Sequence, residues 1–512
     1  MKRVISLILS ILLLLSLVGC GEWEDSQDDL YETLAGYFGT TEQEEPQPAL
    51  TSFALPYLPD ETADPITCLD GAQKTLGTLI YETLFALDPT FEPQLSLAES
   101  CVYDDASRTY TITVRRGIRF SDGTELTAKD VVYSINRARN SQRYSARLAD
   151  ISSVGSSEYT VTIRLNRSNA FLAARLDIPI IKNGTGSNNW PIGTGPYYYL
   201  NDASGAHLAI NPLWWQQKAL PLQRIELLRS KDSDTISYAF YSREIQLLMC
   251  DLTSTSTSNV YGSGTYTDAA TTTMQYIGIN TARAHLNNAA LRRALGLGID
   301  REGCIDAFLL GHGIAAQSPL SPVSALYPDA LDVAFSPYNF DMAMDEAGYS
   351  DAQTISLKLL VNQENSFKVD AATRIAADLS HHDLQINVVA LPWEEFLLAL
   401  QSGDYDLYYG ECRLTADWDL RALVGTGGSL NYSGYSNVET DALLDAYLCA
   451  PQEQRAEAME SLCRHLAHEA PILPICFKNV SVLLPSGAVE SITPTAVNPF
   501  YNLAEWKIDI EQ

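Results

Sequence analysis

The sequence predicts an α/β protein built from more than one domain. Several short runs alternate apolar and polar residues, as half-buried strands do; Tyr110, Ile112 and Val114 set against Thr111, Thr113 and Arg115 form the clearest. From Asn287 onward such runs alternate with segments of helical period, the order that gives a mostly parallel sheet. The chain has 512 residues, 46% of them hydrophobic, well past the ~250–300 residues at which one core stops growing.

The elements follow in order. Leu50 to Leu58 is a short apolar strand, Pro59 to Asp70 is rich in turn residues, and Gln73 to Ala86 reads as a helix ending before Asp88-Pro89. Asp104 to Ser107 supplies the turn of a β-hairpin that leads into Tyr110–Val114. Thr127 with Asp130 three residues on makes a capping box, so a helix begins at Thr127 and buries Val131, Val132 and Ile135. Tyr159 to Leu165 alternates again, and the Gly/Asn-rich stretch Gly184 to Gly195 marks passage between domains. Strands are expected at Gly195–Leu200, His207–Asn211 and Ile225–Leu228, and an exposed loop or weak strand at Ser254–Thr273.

The second half alternates more regularly. Helices are expected at Ala289–Gly298, Arg301–Leu310, Asp341–Ala347, Phe367–Leu379 and Trp393–Leu400, with strands at Ile355–Val361, Ile386–Ala390 and Leu407–Gly410. In Gln452–Glu469 the residues Ala456, Met459, Leu462, Cys463 and Leu466 recur at helical spacing, so Cys463 reads as a small buried hydrophobe. No internal repeat at periods of about 20–50 residues is present, which argues against solenoids and propellers.

The 34 Lys plus Arg face 63 Asp plus Glu, a net charge of −29. A surface this negative repels phosphate backbones, so nucleic acid is excluded as a partner. Lys2 and Arg3 precede a 15-residue apolar and Ser stretch, Val4 to Val18, too short to span a membrane and arranged as a secretory signal. Leu17-Val18-Gly19-Cys20 resembles the bacterial lipobox, which implies that residues 1–19 are a lipoprotein signal peptide and that Cys20 carries the lipid. Residues 20–48, rich in Glu, Asp, Gln and Thr, then form a flexible tether. The other eight cysteines are irregularly spaced, and their pairing stays open.

The familiar catalytic signatures are missing. There is no phosphate-cradling Gly-x-x-x-x-Gly-Lys run and no Gly-x-Ser-x-Gly elbow, and the paired glycines at Gly262 and Gly425 lack a dinucleotide setting. No cofactor is implied. His465 and His468 share a helix face without a third ligand, and His312 and His381-His382 read as surface residues. The informative stretch is Leu407–Leu420, where a strand ends and Asp417 sits beside Trp418 in a loop at its carboxyl end, the position at which α/β folds bind ligands. A carboxylate beside an indole suits an ammonium group, and equally a structural cap beside a core Trp.

Six segments in order then resemble the family 5 extracellular solute-binding proteins, the peptide- and nickel-binding components of ABC importers. They are Leu79 to Phe85; Gly117 to Thr124 with Asp130 to Ser134; Gly193 to Tyr197; Asn211-Pro212 with Trp215; Ile279-Asn280 with Leu291 to Leu295; and Ala470 to Pro474. The resemblance implies a bilobal, class II periplasmic-binding-protein-like fold with an inserted subdomain in the first lobe. Lobe I would comprise 49–70, 190–278 and 477–512, the insertion 71–189 and lobe II 279–476, with crossings near Gly278–Thr281 and Pro471–Phe477.

The resemblance also implies that Asp417 receives a ligand's α-ammonium group, that Tyr276 and Tyr144 line the cleft, and that Thr67–Asp70 touches the ligand backbone. Trp418 would stack on the ligand, and Arg413 suits a bidentate clamp on a carboxylate and equally a surface position. Two departures stand out: the Gly-Trp that usually precedes the acidic motif reads Gly410-Glu411, and the Asp-Pro after it reads Asp419-Leu420. The implied protein is a monomeric, lipid-anchored receptor on the extracytoplasmic face of the plasma membrane. It would deliver short peptides or similar zwitterions to an ABC permease and perform no chemistry. A nickel-chelate binder served by His312 or His381-His382, and a secreted hydrolase using Asp417 and Asp419 as a carboxylate pair, are the alternatives.

Overall fold

The computed structural model describes residues 52–254, 264–349, 354–380, 384–487 and 489–508. The signal segment, the tether with Cys20, and His381-His382 lie outside them. Among the described residues no helix is long and apolar enough to cross a membrane.

Three principal sheets organise the chain. The strands Ala54–Tyr57, Arg224–Arg229, Gly205–Ile210 and Tyr197–Asp202 lie side by side in that order. The first pair is parallel and the rest antiparallel. Pro56 is tolerated because its strand is at the edge, where a missing N–H leaves no ladder partner unpaired. Next to it, Ala98–Asp104, Thr109–Val114, Thr160–Leu165 and Ile151–Ser157 form an antiparallel sheet. Helix Ala128–Arg139 adds Val131, Ile135 and Ala138 to the core that this sheet supplies with Ile112, Val161 and Ile163. The expected cap is there: Thr127 N donates to Asp130 Oδ2 at 2.9 Å.

The helix expected over Gln73–Ala86 runs instead over Gly71–Ile80, and Tyr81 turns extended at φ −121°. Its end is set by a remote segment. Gly195 N donates to Ile80 O at 2.9 Å, and a Cβ on Gly193 would sit 2.1 Å from the same oxygen. Only glycine permits so close an approach. The freed chain carries Glu82 into a cradle of donors, Trp214 Nε1 at 3.1 Å, Trp215 Nε1 at 3.0 Å and Thr194 Oγ1 at 2.8 Å. Burial pushes the Glu82 carboxyl up, and these bonds pull it back down.

The third sheet has seven strands. Leu248–Cys250, Ile472–Pro485, Gly264–Ile279, Leu407–Arg413, Ile355–Asn362 and Leu384–Leu391 follow in that order, and Gly313–Ala315 also pairs with Ile472–Pro485. The sheet is mixed rather than mostly parallel: Ile355–Asn362 pairs in parallel with its two neighbours, and the other pairings are antiparallel. The loop or weak strand expected at Ser254–Thr273 is, from Gly264 on, part of a 16-residue strand. Its Thr and Tyr residues suit a pleated surface, but its first half lacks a periodic apolar face that would announce it.

This long strand and Ile472–Pro485 form an antiparallel pair from Gly264↔Pro485 to Gly278↔Ile472. Val482 and Leu484 at one end belong to the core of the first half, whereas Ile277, Ile279, Leu473 and Ile475 at the other belong to a core of the second. The pair thus runs from one half to the other. Its register shifts between Ala270 and Met274. There Thr271 Oγ1 donates to Lys478 O and Thr272 Oγ1 to Leu414 O, each at 2.7 Å, so side chains supply bonds where the ladder is interrupted.

One rung pattern stands out. Gly278 is paired with Tyr408, and Tyr276 with Gly410. A Cβ on Gly278 would lie 2.1 Å from the Tyr408 ring, and one on Gly410 would lie 2.6 Å from the Tyr276 ring. Each ring lies over the opposing glycine, and the two hydroxyls meet at 3.2 Å. Gly410→Ala is expected to lower unfolding stability by about 1–3 kcal/mol through overpacking. Gly71→Ala, whose Cβ meets nothing within 4 Å, should change it little; urea denaturation of both variants checks the contrast.

Candidate functional site

A cavity of about 1160 Å³ lies between the two halves of the described chain. One wall comes from helix Gly71–Ile80 and the segment 143–150, the other from the end of strand Leu407–Arg413 and the loops that follow it. Strand ends of this kind leave backbone and side chains free to face a ligand.

The floor is built on a buried ion cluster. Arg175, 5% exposed, follows the buried Phe171 and Leu172 into the interior, and its guanidinium must find anions there. Nε donates to Asp417 Oδ2 at 2.5 Å and Nη2 to Asp419 Oδ2 at 2.7 Å, with Asp150 Oδ2 3.6 Å from Nη1. Arg421 completes the cluster at 2.7 Å from Asp419 and 3.1 Å from Asp150. Burial by itself would raise the Asp419 carboxyl, but hydrogen bonds from Arg421 and the charges of Arg175 and Arg421 hold it well below the usual range. Asp417 is fully buried, and its Oδ2 also accepts from Asn169 Nδ2 at 2.7 Å. Its Oδ1 is buried with no hydrogen-bond partner among the described residues.

Aromatic rings close around this cluster. Phe91 meets Trp418 edge-on at 5.5 Å and Phe171 lies 5.3 Å from Tyr447, with the Arg455 guanidinium 4.1 Å above Phe171. Ala170 N donates to Leu448 O at 2.7 Å. Phe91, Phe171 and Ala174 therefore belong to a core whose other buried members come from the second half.

The residues expected at the site divide into two groups. Asp417, expected to receive a ligand's ammonium group, receives the protein's own Arg175 and is absent from the cavity lining. Trp418, expected to stack on ligand, is 1% exposed between Phe91 and Phe477, because a left-handed φ of 57° turns it away from its two acidic neighbours. Tyr276, expected in the cleft, is 3% exposed because the bare backbone of Gly410 draws its ring inward. Asp70 caps helix Gly71–Ile80 by accepting from Gln73 N at 3.0 Å and does not line the cavity.

Tyr144 and Arg413 do line it. Tyr144 is flanked by the Arg143 and Arg147 guanidinium groups, 4.9 and 5.2 Å from its ring centre. Arg147 is ion-paired to Asp177. The Arg413 guanidinium, on the cavity wall, makes no hydrogen bond or ion pair among the described residues. Burial and the neighbouring Arg147 pull its pKa below the usual arginine range.

No local sequence signal marks Arg175, Arg143, Arg147 or Lys74, which reach the site through loops and a helix face. Arg421 was the readable one, two residues after Asp419 on the same side of the chain.

Among the described residues the alternative chemistries find no assembled site, and His381-His382 lie outside them. Asp417 and Asp419 both pair with Arg175, and the lowered Asp419 carboxyl is opposite to the raised one a general acid needs. His312 Nδ1 lies 2.9 Å from Asp268, which also accepts from Ser481 Oγ at 2.7 Å, and His465 Nε2 is 2.9 Å from Thr440 Oγ1. Among the described residues no group of three or more His, Cys, Asp or Glu is placed to hold a metal ion. Their eight cysteines are unpaired thiols, Cys463 buried as expected.

Residues 92–422 match the family model of bacterial extracellular solute-binding proteins, family 5 (middle). The chain is 22% identical over 477 residues to the oligopeptide-binding protein AppA of Bacillus subtilis, covering 85% of this chain and 88% of that one. It is 25% identical over 447 residues to the glutathione-binding protein GsiB of Salmonella choleraesuis, covering 81% and 86%. The structure of a nickel ABC transporter protein from Bacillus halodurans superposes with a TM-score of 0.73 at 18% identity, covering 88% of this chain and 98% of that one.

Removing the buried cation tests the cluster. Arg175→Met strands Asp417 without its charge partner and is expected to cost about 3–5 kcal/mol. Arg421→Met, at the edge of the cluster, should cost clearly less; chemical denaturation of both measures the difference.

Proposed function

The chain belongs to the family 5 bacterial extracellular solute-binding proteins, and from that membership we propose that it is the solute receptor of an ABC importer. It captures short peptides or similar zwitterions in the cavity between its halves, presents them to the membrane permease and releases them unaltered. The observation that carries this reading is the cavity itself. At about 1160 Å³ it exceeds the ~300–1,000 Å³ of ordinary small-molecule pockets. Side chains of several peptide residues fit with bridging water, which suits recognition that tolerates varied sequences. Arg413 and Tyr144 are the expected site residues that supply contacts in it.

In this reading lobe I comprises 49–70, 190–278 and 477–512, with 71–189 inserted and 279–476 forming lobe II. The long strands Gly264–Ile279 and Ile472–Pro485 join the lobes. The register shift after Ala270 is the place where they bend. The lipid at Cys20 holds the monomeric receptor at the extracytoplasmic face of the membrane, with residues 20–48 as its tether.

Native mass spectrometry of the purified chain tests the assignment. A ladder of co-purified peptides is the expected result; one discrete metal chelate, or hydrolysed products after incubation with peptides, overturns it. Scattering of the same sample should show a smaller radius once peptide is bound.

A further inference from the structure

Four cations at the cavity, Lys74, Arg143, Lys218 and Arg413, have no carboxylate partner among the described residues, and Lys74, Arg143 and Arg413 act on one another. Lys74 projects from helix Gly71–Ile80, Arg143 follows helix Ala128–Arg139, and Arg413 ends strand Leu407–Arg413 on the opposite wall. Arg143 donates to the Pro65 carbonyl at 2.9 Å, which leaves its charge uncompensated. The groups are close enough to feel one another. Burial pulls the Lys74 pKa down and Arg143 and Arg413 add to the effect, while Arg413 is lowered by burial, then by Arg147 and Arg143. The carboxylates within their reach are engaged: Asp177 with Arg147, and Asp70 with the helix N-terminus.

Such a cluster is unexpected in a chain of net charge −29. Like charges converging on a partly desolvated space oppose the approach of the two walls. Elsewhere on the cavity, Asp88 accepts from Thr90 N, Glu92 N and Gln94 Nε2, and Asp441 from Thr426 N. Asp417, which does not line the cavity, meets Arg175 and Asn169 through Oδ2. The carboxylates that act on Lys74 and Arg413 are Asp70 and Asp177, both engaged, so the charge left over around these three cations is positive.

We propose that Lys74, Arg143 and Arg413 form a binding site for a solute carrying two or more carboxylates, and that the solute's charge is what draws Arg413 and the opposite wall together. The inference rests on the receptor reading above and names its solute class. An acidic peptide and a polycarboxylate metal chelate present the same chemistry. Arginine engages such groups with paired, charge-assisted hydrogen bonds, and one anion between the walls converts repulsion into attraction on both sides.

The test uses the purified full chain with three probes: a tripeptide-to-hexapeptide library rich in Asp and Glu, the same library with Asn and Gln in their place, and ferric citrate. Binding is read by native mass spectrometry and calorimetry. The acidic library is expected to bind about tenfold or more tighter than its amide counterpart, with the margin shrinking as salt is raised. The double variant Arg143→Gln, Arg413→Gln should lose that preference while staying folded, its melting temperature lowered only by the loss of the Arg143 contacts with the Pro65 carbonyl and the Tyr144 ring. If the double variant does not fold, Lys74→Gln carries the same comparison.

Equal binding of the two libraries overturns the anionic site and leaves the peptide receptor standing. Retention of ferric citrate with neither library supports the anionic site and overturns the peptide reading. Retention of no probe overturns both.

Discussion

A guanidinium group held away from water has to be met by carboxylates, and much of this molecule's interior is arranged around that requirement. Arg175 comes from the first half of the chain, and the anions that satisfy it, Asp150, Asp417 and Asp419, come from both. Asp417 and Asp419 must face the same way, so Trp418 between them faces the other, and it does so at φ 57°. That reversal puts the indole against Phe91 and Phe477. The same segment begins where strand Leu407–Arg413 ends, so Arg413 is left at the rim with its charge unmatched. A structural ion cluster and a free binding cation thus follow from one short stretch of chain.

The sequence was legible wherever the decisive interaction was local. The Thr127–Asp130 cap, the hairpin at Asp104–Ser107, and the alternating strands and helices after residue 287 all sit where short-range pattern puts them. The helix at Gln73–Ala86 was overextended because its stop is Gly193–Gly195, more than a hundred positions away. The long strand from Gly264 looked like a loop because its Thr-rich surface is specified by its neighbours rather than by its own period. The sheet was read as mostly parallel because helix–strand alternation describes only its far edge.

The site divided along the same line. Tyr144 and Arg413 line the cavity. Asp417, Trp418 and Tyr276 went inward because of partners remote in sequence: Arg175 is 242 positions from Asp417, and Tyr276 is drawn in by Gly410 across a ladder. Family-like motifs turned out to have structural reasons of their own. Gly193 and Gly195 let the chain approach Ile80, and Glu82 gathers the indole N–H groups of Trp214 and Trp215. Motifs of this kind identify a fold more securely than a ligand, since the fold is what they hold together.

The crossed pairs Tyr276 with Gly410 and Tyr408 with Gly278 bear on how this sequence can drift over time. A bulkier residue at either glycine is admissible only alongside a smaller one at the tyrosine facing it, so neither rung can change one position at a time without passing through an overpacked intermediate. Across diverging descendants these four sites should vary as linked couples, each ring exchanged together with the gap it fills.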